Sequence, residues 1–149
     1  MIFSLALDQV NADRLEALKS DGVREGRPLE YKEALPETTD DEKKEFLADA
    51  TSFANAAGGD LIYGVKGRRD SKGVPTGEIE AIVGLLNLNL DAVQLRLENM
   101  IRDGVAPRMS PLTFHLIPRG SAPPCLLLRI PRGWAGLHMI TFGNWSRFY

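Results

Sequence analysis

The residues of this 149-residue chain best suited to bond chemistry are two glutamates and a lysine. Glu25 and Glu30 stand five positions apart in Glu25-Gly-Arg-Pro-Leu-Glu30-Tyr-Lys32, and Lys32 follows Glu30 by two. A carboxylate pair can hold magnesium or manganese, which would neutralise charge developing on a phosphate and activate water while the lysine steadies the scissile group. Glu25, Glu30 and Lys32 are thus the catalytic candidates for a nuclease, and Glu25 and Glu30 its metal ligands. Such nucleases usually offer three or more acids, however. From spacing alone the favoured reading of the same residues is a loop charge, Glu25, beside a solvent-facing Glu30–Lys32 pair.

A second kind of chemistry, phosphate binding, is written in the charge distribution. The net charge is −2, but residues 1–60 hold 14 acids and 7 bases while residues 61–149 hold 6 acids and 11 bases. The bases of the later part include Lys66, Arg68, Arg69, Lys72, Arg129, Arg132 and Arg147, mostly arginines, whose planar forks suit bidentate contact with phosphate. Spread over loops, the same bases would only solvate the surface, and the chain as a whole lacks the strongly basic balance of an obvious nucleic-acid binder.

Other chemistries lack their motifs. No G-x-x-x-x-G-K-[ST] loop, G-x-G-x-x-G turn or G-x-S-x-G elbow occurs, His115 and His138 are isolated, and the single Cys125 sits in the apolar run Cys125-Leu-Leu-Leu. No cofactor is therefore implied beyond magnesium or manganese in the nuclease case. The lone cysteine, the want of a basic leader and the absence of an 18-residue apolar run point to a cytoplasmic protein with no membrane partner.

Elements to position these residues follow from periodicity. Val10, Leu15 and Leu18 set a helix over 8–20 that ends near Gly22. The alternation of Leu29, Glu30, Tyr31 and Lys32 makes a short strand that places Glu30 and Lys32 on one face. Thr39 with Glu42 forms a capping box, and Phe46, Leu47, Ala50, Phe53, Ala54 and Ala57 line one stripe of a helix that stops at Gly58-Gly59. A strand over Asp60–Val65, an exposed loop from Gly67 to Gly73, a strand around Glu78–Val83, a helix over 89–103 and strands at 112–117 and 125–130 complete the order, with a turn from Pro118 to Pro124. The expected fold is α/β (α+β): a mixed β-sheet packed with two to three helices.

These segments together resemble the Schlafen AlbA_2 domain. The resemblance lies in Glu25-x-x-x-x-Glu30-Tyr31-Lys32, in Ala50-Thr-Ser-Phe-Ala-Asn-Ala-Ala-Gly-Gly-Asp-Leu-Ile-Tyr-Gly-Val65, and in the closing Gly143-Asn-Trp-Ser-Arg147-Phe-Tyr149. It spans about residues 23–149 and leaves residues 1–22 as an N-terminal helical extension. The resemblance implies a DNA-binding module of bacterial regulators, sometimes labelled a divergent ATPase, with an enzymatic branch that cleaves structured RNA through two glutamates and an aspartate after the Gly-Val strand. Here the glutamates fall on Glu25 and Glu30, but Lys66 stands where the acid is expected. That exchange trades metal affinity for phosphate affinity unless Asp60 or Asp70 fills the gap. The family's asparagine falls on Asn55, which either touches nucleic acid or bonds the backbone of the glycine turn.

The expectation is a nucleic-acid-binding domain of low sequence specificity, DNA ahead of RNA, using Lys66, Arg68, Arg69, Lys72, Arg129, Arg132, Arg147 and Asn55. The alternatives are a metal-dependent endoribonuclease and an ATP-binding or protein-interaction module. Exposed edge strands leave room for a homodimer, and a chain ending in strand-like sequence leaves room for a further C-terminal domain.

Overall fold

The computed structural model describes residues 5–26, 28–133, 137–142 and 146–149. The chain forms two compact units, each assembled from separated stretches: Met1–Leu35, Asp60–Leu88 and Phe114–Arg129 in the first, and Pro36–Gly59, Asn89–Thr113 and Ile130–Tyr149 in the second.

The first unit begins with a 3-10 turn, Leu7–Gln9, and helix α1, Ala12–Ser20. The helix starts later than its apolar periodicity predicts because Asn11 caps it, its side chain accepting the Arg14 N–H at 3.0 Å. Val10, Leu15 and Leu18 join Leu29 and Tyr31 of β1 (Leu29–Lys32), Ile62 of β2 (Gly59–Tyr63) and Cys125 and Leu127 of β7 (Ala122–Ile130) in one buried cluster. The N-terminal segment is therefore part of this core. Sheet order is β1-β2-β7-β6, with β6 at Thr113–Arg119. β1 runs parallel to β2, Glu30 opposite Leu61 and Lys32 opposite Tyr63. Cys125 to Leu128 are fully buried, as a central strand requires.

Two strands differ from the sequence reading. The strand expected over Asp60–Val65 breaks at Gly64 (φ +97), and β3, Val65–Arg69, continues beyond it to pair with β4, Pro75–Ile82. Gly67 to Arg69 are thus strand residues, although their charge and glycine content favour a loop. Antiparallel pairing with β4, a contact that local composition does not report, makes the difference. The turn expected over Pro118–Pro124 shrinks to Gly120-Ser121 between β6 and β7, with Gly120 at φ +63. On β6 the fully buried residue is Ile117, while Phe114 and Leu116 are half-buried.

The second unit holds α2 (Asp40–Ala54), α3 (Leu90–Gly104) and the short strands β5 (Val105–Ala106), β8 (Met139–Ile140) and β9 (Arg147–Phe148). Thr39 caps α2 by accepting the Glu42 N–H, while the Glu42 carboxylate takes the Thr39 hydroxyl and the Glu37 N–H. Phe46, Leu47, Ala50, Phe53 and Ala54 are buried, the three largest contributing about 1.5–3 kcal/mol each. The helix closes at Asn55 instead of running to the glycines, and Ala57 is exposed. Asn89 caps α3, accepting the Ala92 N–H at 3.1 Å. Gly104 closes that helix against Leu47, whose Cδ1 would lie 2.6 Å from any added Cβ. Of the closing motif, Gly143 to Trp145 lie outside the described residues; Arg147-Phe148 pair with β8.

Candidate nucleic-acid interface

β1 presents Leu29 and Tyr31 to the core and Glu30 and Lys32 to the other face. Lys32 Nζ lies 3.6 Å from Glu30 Oε1. Glu25 turns back on the same strand, its Oε1 accepting the Tyr31 N–H at 3.2 Å. The Tyr31 hydroxyl donates to the Val23 carbonyl at 2.9 Å, and burial, with the Glu25 carboxylate nearby, pushes its pKa up to about 12.

Whether these acids suit a metal depends on a third ligand. Asp60 is fully buried and receives Arg129 Nε and Nη2 on its two oxygens, each at 2.9 Å. Asp70 folds its own turn, Oδ1 accepting the N–H groups of Lys72 at 2.8 Å and Val74 at 2.9 Å. Both acids offered for the gap at Lys66 are thus engaged elsewhere. Among the described residues no three His, Cys, Asp or Glu side chains gather as a metal site. Among the described residues no third acid joins Glu25 and Glu30, so the pair lacks the fuller ligand set that such nucleases usually offer.

The cations are arranged differently. Lys66, Arg68 and Arg69 lie exposed on β3 and Lys72 on the turn after it, so one hairpin carries four bases. Its tip is fixed by the Asp70 turn and by Arg69 Nη1, which donates to the Gly73 carbonyl at 2.8 Å. Its root is fixed where the Gly64 carbonyl accepts the N–H groups of Val83 and Gly84, each at 2.9 Å. An added Cβ at Gly84 would meet the Pro123 oxygen at 2.3 Å, so only glycine fits there. β4 supplies counter-charge: Glu80 Oε2 is 3.0 Å from Lys66 Nζ and Glu78 Oε2 is 3.4 Å from Arg68 Nη1. Glu80, together with Glu33, holds the Lys66 ammonium above the ordinary lysine range.

The remaining predicted residues lie elsewhere. Arg129 is tied to Asp60 and donates from Nη1 to the Leu5 carbonyl at 2.7 Å, a structural engagement that removes it from the free cations. Arg132 and Arg147 are exposed on the second unit, and each has a neighbour that engages it. Asn55, also in the second unit, bonds neither glycine of its turn: its amide donates to the carbonyls of His138 at 3.0 Å and Tyr149 at 2.7 Å and accepts the His138 N–H at 2.7 Å. Sequence reasoning missed Arg24, which sits against the hairpin with Nε 3.3 Å from Glu78 Oε1. A lone arginine before a strand gives no local signal.

A model of the family described as Schlafen, AlbA_2 matches residues 25–147, from the first glutamate of the acidic motif to the arginine of β9. The chain belongs to the Schlafen AlbA_2 family. This AlbA_2 domain is similar in fold to the N-terminal domain of a Nitrosomonas europaea protein whose description reads ATP-dependent DNA helicase RecG-related protein, with 23% identity, a TM-score of 0.56, and coverage of 92% of this chain and 87% of that one. The DIP2311 protein of Corynebacterium diphtheriae is also similar, at 14% identity and a TM-score of 0.46, the alignment covering 92% of this chain and 26% of that one. No curated protein sequence matches the AlbA_2 domain significantly. No helix among its described residues is long and apolar enough to cross a membrane.

Proposed function

We propose that this AlbA_2 domain binds nucleic acid, DNA ahead of RNA, with low sequence specificity, through phosphate contacts from Lys66, Arg68, Arg69 and Lys72. The observation that carries the reading is the β3–β4 hairpin, which holds four exposed bases on a ribbon fixed at both root and tip. Fixed cations lose little freedom on meeting a phosphate, and guanidinium forks match it bidentately. The three acids of the same hairpin, Asp70, Glu78 and Glu80, keep its net charge at +1, which suits modest, salt-sensitive affinity. In the wider reading the domain serves a cytoplasmic bacterial regulator whose sequence specificity comes from a further domain.

Titrating the full chain against labelled duplex DNA, single-stranded DNA and structured RNA, at two salt concentrations and with or without manganese, tests this reading. The expected result is intact nucleic acid, tightest binding to duplex, and log affinity falling against log salt with a slope of about −0.9 per phosphate neutralised. Unchanged binding by the variant R68E/R69E would overturn the site assignment. Manganese-dependent RNA breakage abolished by Glu30→Gln would replace the binding reading with the nuclease one.

A further inference from the structure

Two of the hairpin cations, Lys66 and Arg68, do not wait unpaired for a ligand. Glu78 is shared between two guanidinium groups, Oε2 toward Arg68 at 3.4 Å and Oε1 toward Arg24 at 3.3 Å, while Glu80 takes Lys66 at 3.0 Å. Arg24 reaches this place because its segment is bonded to β4: the Glu25 N–H donates to the Gly77 carbonyl at 2.7 Å, where Gly77 has φ +84. Side chains of Arg24, Lys66 and Arg68 are 68%, 50% and 50% exposed. Three cations from two parts of the chain thus converge on two carboxylates at the surface.

A carboxylate offers arginine and lysine the same kind of contact as a phosphate oxygen, so each pair both orients its cation and competes for it. Exposed pairs at 3.0 to 3.4 Å are worth little and exchange readily. A nucleic-acid backbone, presenting many phosphates at once and releasing its own counter-ions, outcompetes them.

We propose that Arg24, Lys66 and Arg68 form one phosphodiester-binding site in which Glu78 and Glu80 are resident counter-anions, holding the cations in place and setting a ceiling on affinity until the backbone displaces them. This rests on the nucleic-acid reading above and adds to it a residue, Arg24, outside the hairpin and outside the family match. The brake is electrostatic and local. Glu80 favours the Lys66 ammonium, raising its pKa, in keeping with the 3.0 Å pair between them.

The test uses the full chain and a fluorescein-labelled duplex, read by anisotropy at two salt concentrations. E78Q/E80Q is expected to bind about tenfold tighter than the wild type, whereas D13N/E16Q, which makes the same change of net charge on α1, gains no more than about twofold to threefold. R24A is expected to lower the magnitude of the salt slope by about 0.9. A gain for E78Q/E80Q no larger than the control, or a salt slope unchanged in R24A, overturns the proposal. If R68E/R69E abolishes binding while both of those results hold, the nucleic-acid reading stands and the counter-anion proposal alone falls. If neither the wild type nor E78Q/E80Q binds at low salt, both fall together. Binding by E78Q/E80Q where the wild type binds none would support the proposal most directly.

Discussion

Asp60, buried at the start of the strand beside β1, receives both forks of Arg129, Nε on one oxygen and Nη2 on the other, each at 2.9 Å. Arg129 also reaches the Leu5 carbonyl, so one guanidinium joins β2, β7 and the N-terminal segment. Removing either partner leaves a buried charge uncompensated. Arg129→Met is expected to destabilise the protein by about 3–5 kcal/mol, read as a lowered urea midpoint, and Asp60→Leu added to it should recover part of the loss. A wild-type midpoint in Arg129→Met would show that the pair holds nothing together.

Alkaline pH should loosen the strand that carries the acidic motif. The Tyr31 hydroxyl titrates at about 12 in the folded protein against 10.0 for an ordinary tyrosine, because burial and Glu25 disfavour the phenolate. The stabilisation is therefore complete below pH 10 and is lost as pH rises from 10 through 12, on the order of 2 kcal/mol. Denaturant melts at pH 9 and pH 12 check this. Tyr31→Phe, which has nothing to ionise, should show a smaller drop than the wild type.

Asn55 acts as a clasp on the C-terminal strands. Its amide makes three bonds to the backbones of His138 and Tyr149, so Asn55→Ala is expected to cost about 2–3 kcal/mol. Hydrogen exchange should speed up at Met139 and Ile140, with duplex DNA affinity unchanged. A loss of DNA affinity without faster exchange would return Asn55 to the ligand-contacting set.

At the hairpin tip, Asp70 accepts two backbone N–H groups. Asp70→Ala should cost about 1 kcal/mol and, by freeing the tip, weaken DNA binding even though it removes a negative charge. Tighter binding would mean that tip order is irrelevant and charge alone governs.

The helices were legible in the sequence because their signals are local: Thr39 with Glu42, and apolar stripes at spacings of three and four. The face shared by Glu30 and Lys32 followed from strict alternation. The extension of β3 through Arg69 was hidden, since Gly67 and the charges around it mark a loop until a partner strand arrives. The occupation of Asp60 by Arg129 and the convergence of Arg24 on Glu78 join residues far apart in the chain, and no local pattern announces such pairs. The candidate site was therefore legible as a set of bases, but its counter-charges and its outlying arginine were not.

Gly64 and Gly84 pinch the chain where the ribbon leaves the four-stranded sheet, leaving no room for a side chain at Gly84. Everything from Lys66 to Arg69 beyond that waist is exposed, so its residues are free to change without disturbing the packing beneath. Only the ribbon's exposed face is separable from the sheet, because Val65 and Ile79 of the same ribbon are buried in the core. A designer could rewrite the charges at Lys66, Arg68 and Arg69 while keeping those two side chains, and expect the sheet to fold as before.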